Sequence, residues 1–182
     1  MQFCRQAFPH SEVVLGRYFT APLNPSRGRA DQRKRQDTYL AALRTLPDLR
    51  VHFGEFVEHP KVKGLVVPPA QGPATARVWV PEEKGSDVNL ASHLLVDGFL
   101  GKYDAAVVVS NGADLLEPVR LVRAILGLPV GVIKVDGGQR ACVSAGKADF
   151  IRTVRRSHVA SSQLPDEICD SRGRIIRKPL EW

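Results

Sequence analysis

Apolar and polar positions alternate along this chain in two registers, one with the period of a helix and one with that of a strand. The clearest signal is AAVVVSNGAD (Ala105–Asp114), a continuous apolar run closed by Ser110, Asn111, Gly112 and Asp114. A short β-branched run bounded by turn formers predicts a buried parallel strand. After it, Leu116, Val119, Leu121, Val122, Ile125 and Leu126 recur at helical spacing, with Gly127 where a helix ends. Apolar Pro129–Val135 then predicts a second strand. Strand, helix and strand in that order make a βαβ unit, so the class is α/β with a mostly parallel sheet flanked by helices. Ligands of such sheets bind outside the carboxyl ends of the strands, where Ser110–Asp114 falls.

The rest of the pattern extends this layout. Glu12–Thr20 predicts a strand, and Ala21–Ala30 is a loop of Pro, Gly, Ser and Arg. Asp31–Leu46 predicts a helix with an apolar stripe of Tyr39, Leu40, Leu43 and Leu46. Leu49–Val57 alternates as a strand, and Ala76–Val80 predicts a short strand of a small inserted hairpin. Asp87–Leu100 predicts a helix whose inner face is Val88, Ala91, Leu94 and Leu95. Past Asp136 a glycine-bearing loop leads to a predicted helix from about Ser144 to Ser157. The organisation expected is one domain over residues 1–158 and an extended tail over 159–182.

Composition narrows the setting. No apolar run nears the roughly 20 residues that cross a bilayer, and Met1–His10 has no signal-peptide pattern. Cys4, Cys142 and Cys169 are odd in number and unpaired in spacing, which argues against a disulfide framework and a zinc site. A cytoplasmic protein with no membrane partner is the expectation. Against 19 Asp and Glu stand 26 Lys and Arg, a net charge of +7, so a polyanion is a reasonable partner. Arg27, Arg29, Arg33, Lys34 and Arg35 form one basic cluster and Arg152, Arg155 and Arg156 another, though solvated helix and loop faces carry such clusters too.

Two carboxylates stand at predicted helix starts, Asp87 and Asp114. Acids converging at the carboxyl edge of a parallel sheet suit Mg²⁺ or Mn²⁺, hard cations that take oxygen ligands and can activate water against a phosphodiester. Each acid also suits a helix start on its own: Asp114 has Glu117 three positions on, and Asp87 follows Ser86. Lys84 lies close enough in sequence to contact a phosphate, or to be an exposed turn lysine. There is no P-loop, no strand-following GxGxxG, no GxSxG and no HExxH, and the five histidines are scattered.

Several longer stretches together resemble the NYN family of PIN-like nucleases, in particular its bacterial LabA-like group. They are RYFTAP (Arg17–Pro22), RQDTYLAAL (Arg35–Leu43), VPEEKGSDVNLASHLLVDGF (Val80–Phe99) and YDAAVVVSNGADLLEPVRLVRAILGLPVGVI (Tyr103–Ile133), with ADFIR (Ala148–Arg152) and SSQLPD (Ser161–Asp166) beyond. The resemblance implies a PIN-like doubly wound sheet and a metal-dependent ribonuclease, a hydrolase that binds RNA. It places the Mg²⁺ or Mn²⁺ on Asp87 and Asp114; as a ribonuclease the chain would offer Asp149 as a further candidate metal ligand, a residue that equally suits the N-terminal turn of a helix. Ser110 and Asn111 would orient water or phosphate, and Lys84, Arg33, Lys34 and Arg35 would contact the RNA backbone. Two departures stand out: Gly112 occupies the position of the first acid of the family's turn, and the family's N-terminal strand has no counterpart in Met1–His10. Upstream polypeptide, or a partner chain or second copy completing the sheet, is expected to supply that strand. The alternative function is a degenerate member that binds RNA or assembles with protein without cleaving.

Overall fold

The protein is described by a computed structural model covering Cys4, Gln6 and residues 8–25, 30–110, 112–135 and 148–182. Strand β1 (Gly16–Thr20) leads through helix α1 (Ala30–Leu43) to β2 (Leu49–Phe53), and the two strands pair in parallel, Gly16 opposite Leu49. A hairpin of β3 (Glu55–Gly64) and β4 (Thr75–Lys84) follows, then helix α2 (Ser86–Phe99) and β5 (Ala106–Val109). A 3₁₀ turn (Ala113–Leu115) opens α3 (Leu116–Leu121), which widens into a π-helical turn (Val122–Leu126) and ends at Gly127 with φ 66°. Strands β6 (Val130–Val135) and β7 (Phe150–Val154) extend β5 into a parallel three-stranded sheet, ordered β5-β6-β7. Helix α4 (Arg156–Ser161) and a small antiparallel hairpin, β8 (Glu167–Cys169) and β9 (Ile175–Arg177), complete the described chain.

The mixed α/β class with mostly parallel strands agrees with the sequence pattern. Helices lie on both faces. Phe19 of β1 meets His93 of α2, with ring centroids 5.8 Å apart. Its neighbour Tyr18 points the other way and meets Tyr39 of α1 at 6.1 Å, since successive strand residues face opposite sides. The core lies on the α2 face of β5 and β6, where Leu94, Val108, Leu115, Val119, Val122 and Val130 pack together. Burying such side chains is worth about 1.5–3 kcal/mol each.

Three predicted elements differ from the structure. The helix expected over 144–157 is instead β7, paired with β6 from Gly131↔Phe150 to Val135↔Val154, followed by α4; residues 144–147 lie outside the described part. Tertiary pairing decides this. The Phe150 ring lies over Gly131, where a Cβ would overlap it, and the Asp149 N–H donates to the Val130 carbonyl. The strand expected over Leu49–Val57 is cut at Gly54, because a Cβ there would collide with the Lys84 carbonyl oxygen and the start of α2. The short inserted strand is a ten-residue arm of a long hairpin.

Candidate functional site

The amino end of α2 sits at the carboxyl ends of both strand groups. On one side the Asn89 side-chain amide donates to the Phe53 carbonyl at the end of β2 (3.2 Å). On the other, a Cβ built on Gly112, just past β5, would lie 3.8 Å from an Asp87 carboxylate oxygen and 3.3 Å from Ser110 Oγ. Two of the predicted site residues, Asp87 and Ser110, are thereby brought around Gly112. Ser110 Oγ accepts the Gly112 N–H at 3.0 Å, a two-residue turn that shapes the floor of this corner. Gly85, with φ 86°, makes the sharp entry into α2 that presents Asp87 here.

Asp87 and Asp114 are both exposed. Among the described residues neither side chain has a hydrogen bond or ion pair, and neither caps its helix: the N-caps are Gly85 for α2 and Gly112 for the 3₁₀ turn, without a side-chain cap. Glu117 pairs with Arg120 rather than closing a capping box with Asp114. Asn111 lies outside the described residues.

The other predicted residues are engaged elsewhere. Asp149 takes a two-pronged bond from Arg123, each contact 2.8 Å, and accepts the Val130 N–H at 2.8 Å. Arg123 and this amide hold its carboxyl below the ordinary value. Lys84 pairs with Glu82 at 2.8 Å, and the hydrogen bonds from Lys61 and Lys84 lower the Glu82 carboxyl to about 2. Arg33 fastens the loop before α1, bonding Asp37 (2.9 Å) and the Leu23 carbonyl (2.7 Å). Arg35 leans toward Glu181 at 3.9 Å, and Lys34 stays exposed. Of the basic cluster, Arg33 and Arg35 thus serve as structural ties, while Arg27 and Arg29 lie outside the described residues.

A polar cluster not singled out from the sequence lies under the other end of α2. Asp97, 6% exposed, accepts from Arg17 Nε on β1 at 2.6 Å and from Lys102 Nζ at 3.2 Å. Burial pushes this carboxyl up, but Arg17 and Lys102 outweigh it, so it ends below its ordinary value. Arg17 also reaches His52 Nε2 at 2.9 Å. His52 stacks on Phe19 at 5.0 Å and lies 4.1 Å from the His93 ring. Burial first, then His93 and Arg17, holds the His52 imidazole below its ordinary value and so neutral. The sequence signal was present: Asp97 interrupts the apolar stripe of α2 one turn after Leu94. A third feature is a cavity of about 220 Å³ between α1 and the C-terminal hairpin, lined by Tyr39, Leu43, Leu46, Ile176, Lys178 and Trp182.

No family model matches this chain, and no solved structure matches it. The chain is 34% identical over 180 residues to a protein of Pseudomonas putida (strain DSM 28022 / S16) named 6-hydroxy-3-succinoylpyridine 3-monooxygenase HspA. The similarity covers 91% of this chain but 56% of that protein, so the chain spans little more than half the length of its relative.

This similarity corrects the expected function. A monooxygenase transfers oxygen and electrons, whereas the expected ribonuclease, an RNA-binding metal hydrolase, breaks phosphodiesters with water. The Mg²⁺ or Mn²⁺ centre is corrected with it. Among the described residues, no group of three or more His, Cys, Asp or Glu is arranged to hold a metal ion, and Asp149 is committed to Arg123. Gly112 stands where the resemblance would put another acid, and a glycine offers no ligand. Among the described residues no helix is long and apolar enough to cross a membrane.

Proposed function

We propose that this chain is part of a monooxygenase acting on a ring-hydroxylated N-heteroaromatic acid, built on a PIN-like doubly wound scaffold of the NYN type. The observation that carries the activity is the 34% identity extending over nearly the whole chain to a protein with that named activity. The scaffold reading is supported by the matching sequence stretches and by helices on both faces of parallel strands.

The corner at the amino end of α2 suits one part of that chemistry. In a pyridine bearing a 6-hydroxyl, position 3 lies para to the oxygen, and loss of the hydroxyl proton pushes electron density onto it. Asp87, exposed and without a described partner, is the proton acceptor in this proposal. Ser110 Oγ, 3.3 Å from a Cβ placed on Gly112, is close enough to hydrogen-bond the same ligand. Gly112 leaves room for a flat ring against its backbone. Position 3 of the relative's named substrate carries the succinoyl group. The reaction therefore balances when one atom of O₂ ends as the new ring hydroxyl, the other leaves as water with two electrons and two protons from an external reductant, and a water molecule takes the displaced acyl group off as succinate. The net charge of +7 favours approach of an anionic substrate.

The test uses the protein expressed from its own locus, with 6-hydroxy-3-succinoylpyridine, ¹⁸O₂ and a reduced nicotinamide. Incorporation of one ¹⁸O per product, with stoichiometric oxidation of the reductant, is the expected result. Absence of label in product from well-folded protein, across hydroxylated pyridine acids, would sink the proposal.

A further inference from the structure

The two longest described strands belong to neither parallel group. β3 and β4 pair with each other from Glu55↔Lys84 to Gly64↔Thr75, and among the described residues no third strand joins them. The Leu65 N–H donates to the Ala74 carbonyl one pair farther on, so residues 66–73 form the tip. A lone two-stranded ribbon is at best marginally stable in water, and this one turns aliphatic side chains outward at its far end. Val66 is 99% exposed, Val67 82% and Val62 69%, with Leu65 also exposed. Apolar side chains grouped in this way, unlike single scattered ones, mark a surface that meets something.

Charge along the ribbon is sorted. From His59 to Pro81 the chain holds Lys61, Lys63 and Arg77 and no Asp or Glu, whereas Glu55, Glu58, Glu82 and Glu83 sit at the base. Lys61 is tied back to Glu82. Lys63 and Arg77 are exposed, and among the described residues neither makes a hydrogen bond or ion pair. At a rise of about 3.4 Å per residue, these two cations stand about 7 and 10 Å behind the Leu65–Ala74 pair. The polar layer of one bilayer leaflet is about 5–7 Å deep. Lys and Arg stems also lie along apolar surface while their heads stay in polar surroundings.

We propose that this tip docks on an anionic lipid surface, with Leu65, Val66 and Val67 at the acyl boundary and Lys63 and Arg77 among the lipid phosphates. The ribbon's chemistry selects this occupant over a macromolecule. Another chain adding a strand needs backbone N–H groups along an open edge. The Leu65 and Ala74 backbone groups point inward, so Pro60 and Pro81, an odd number of positions away on each strand, stand where an N–H would face outward. Both edges are thereby interrupted. Docking through side chains draws on aromatic and arginine anchors, and residues 65–73, LVVPPAQGP, contain neither. RNA would use the cations and leave the valines in water. A lipid surface uses both, because it asks only for apolar area beside positive charge. The expectation of no membrane partner comes from the lack of a span, which a tip entering about 5–10 Å does not need.

The test is flotation of the protein with vesicles of phosphatidylcholine alone and of an equal mixture of phosphatidylcholine and phosphatidylglycerol. Binding to the mixed vesicles at least about tenfold stronger than to the neutral ones is the expected result. Val66→Asp should weaken it by at least about tenfold, with Val67→Asp repeating the test at a second position. Lys63→Glu should weaken it about fivefold or more, the worth of one cation at an anionic surface. All three positions are exposed, and an unshifted melting temperature shows that each variant keeps its fold. No binding to either vesicle, or equal binding to both, overturns the proposal. Binding that falls with Lys63→Glu but is indifferent to both valine variants overturns it equally, because it is then adsorption through the net charge of +7. Without vesicle binding, a two-chain particle that Val66→Asp dissociates in light scattering assigns the tip to a second copy, and retention on single-stranded RNA assigns it to RNA; either overturns a lipid partner.

Discussion

Arg17 of β1 and Asp97 of α2, eighty residues apart in sequence, are joined through Arg17 Nε and Asp97 Oδ2 at 2.6 Å. The carboxylate is nearly buried, and its second oxygen is held by Lys102 at 3.2 Å. This pair anchors the carboxyl end of α2 over β1 while Leu94, one turn earlier, anchors it in the β5–β6 core. The position of Asp87 at the other end of the helix depends on both anchors.

Replacing Asp97 by Asn should cost about 2–3 kcal/mol of unfolding free energy. Removing one partner of a nearly buried pair typically costs about 3–5 kcal/mol, and the partial exposure of Arg17 reduces that. Urea denaturation of the variant measures it. A loss below about 0.5 kcal/mol would mean that solvent screens the pair.

Stability should fall on acidification in two stages. The His52 imidazole is held below its ordinary value of 6.5 and the Asp97 carboxyl below its ordinary 3.8. In both cases the unfolded chain takes up protons first, so the contribution is complete above the unfolded value and is lost as pH falls through the folded one. Melting temperature should begin to drop below pH 6.5 and again below pH 3.8. His52→Gln should remove the upper stage and leave the lower.

Gly131→Ala and Gly112→Ala should separate sharply. At Gly131 a Cβ would run into the Phe150 ring, so overpacking should cost about 2–3 kcal/mol, part of it recovered in a Phe150→Leu background. At Gly112 the backbone is extended (φ −70°, ψ 134°) and the nearest atom is Ser110 Oγ at 3.3 Å. That change should stay within about 0.5 kcal/mol, as read by thermal unfolding.

Asp149→Asn should behave as a structural variant. Its carboxylate joins the π-helical turn at Arg123 to the start of β6 at Val130, a half-exposed arrangement worth about 1 kcal/mol. Turnover by the protein that remains folded should be unchanged.

Asp87→Asn should do the reverse. An exposed carboxylate with no described partner contributes little to stability, while loss of a general base costs about 10²–10⁴ in rate. A drop in kcat/KM of about 100-fold with an unshifted melting temperature is expected. The same variant losing stability instead would make Asp87 structural.

Much of the fold was legible because local pattern and tertiary demand agree there. The apolar run at Ala105–Val109, the helical spacing that follows, and Gly127 at a positive φ describe β5, α3 and its end without reference to any other segment. The stretch Phe150–Val154 was not legible, because it becomes a strand through pairing with β6 and packing of Phe150 on Gly131, nineteen positions away. Asp97 could have been found as the acid that interrupts an apolar stripe. Its partner Arg17 could not, since eighty residues separate them.

For the site, the residue pattern singled out Asp87 and Ser110, and the structure brings both around Gly112. The chemistry read from the same acids was corrected by the relative's named activity and by the ties that hold Asp149 away from them. Sequence alone determined the α/β class, the order of most elements and the turn after β5, because these follow from the period and termination of apolar runs. Only the tertiary structure decided which charges face each other, which strand edges are left open and which acids stand free, because those depend on distances between segments that the pattern along one chain does not encode.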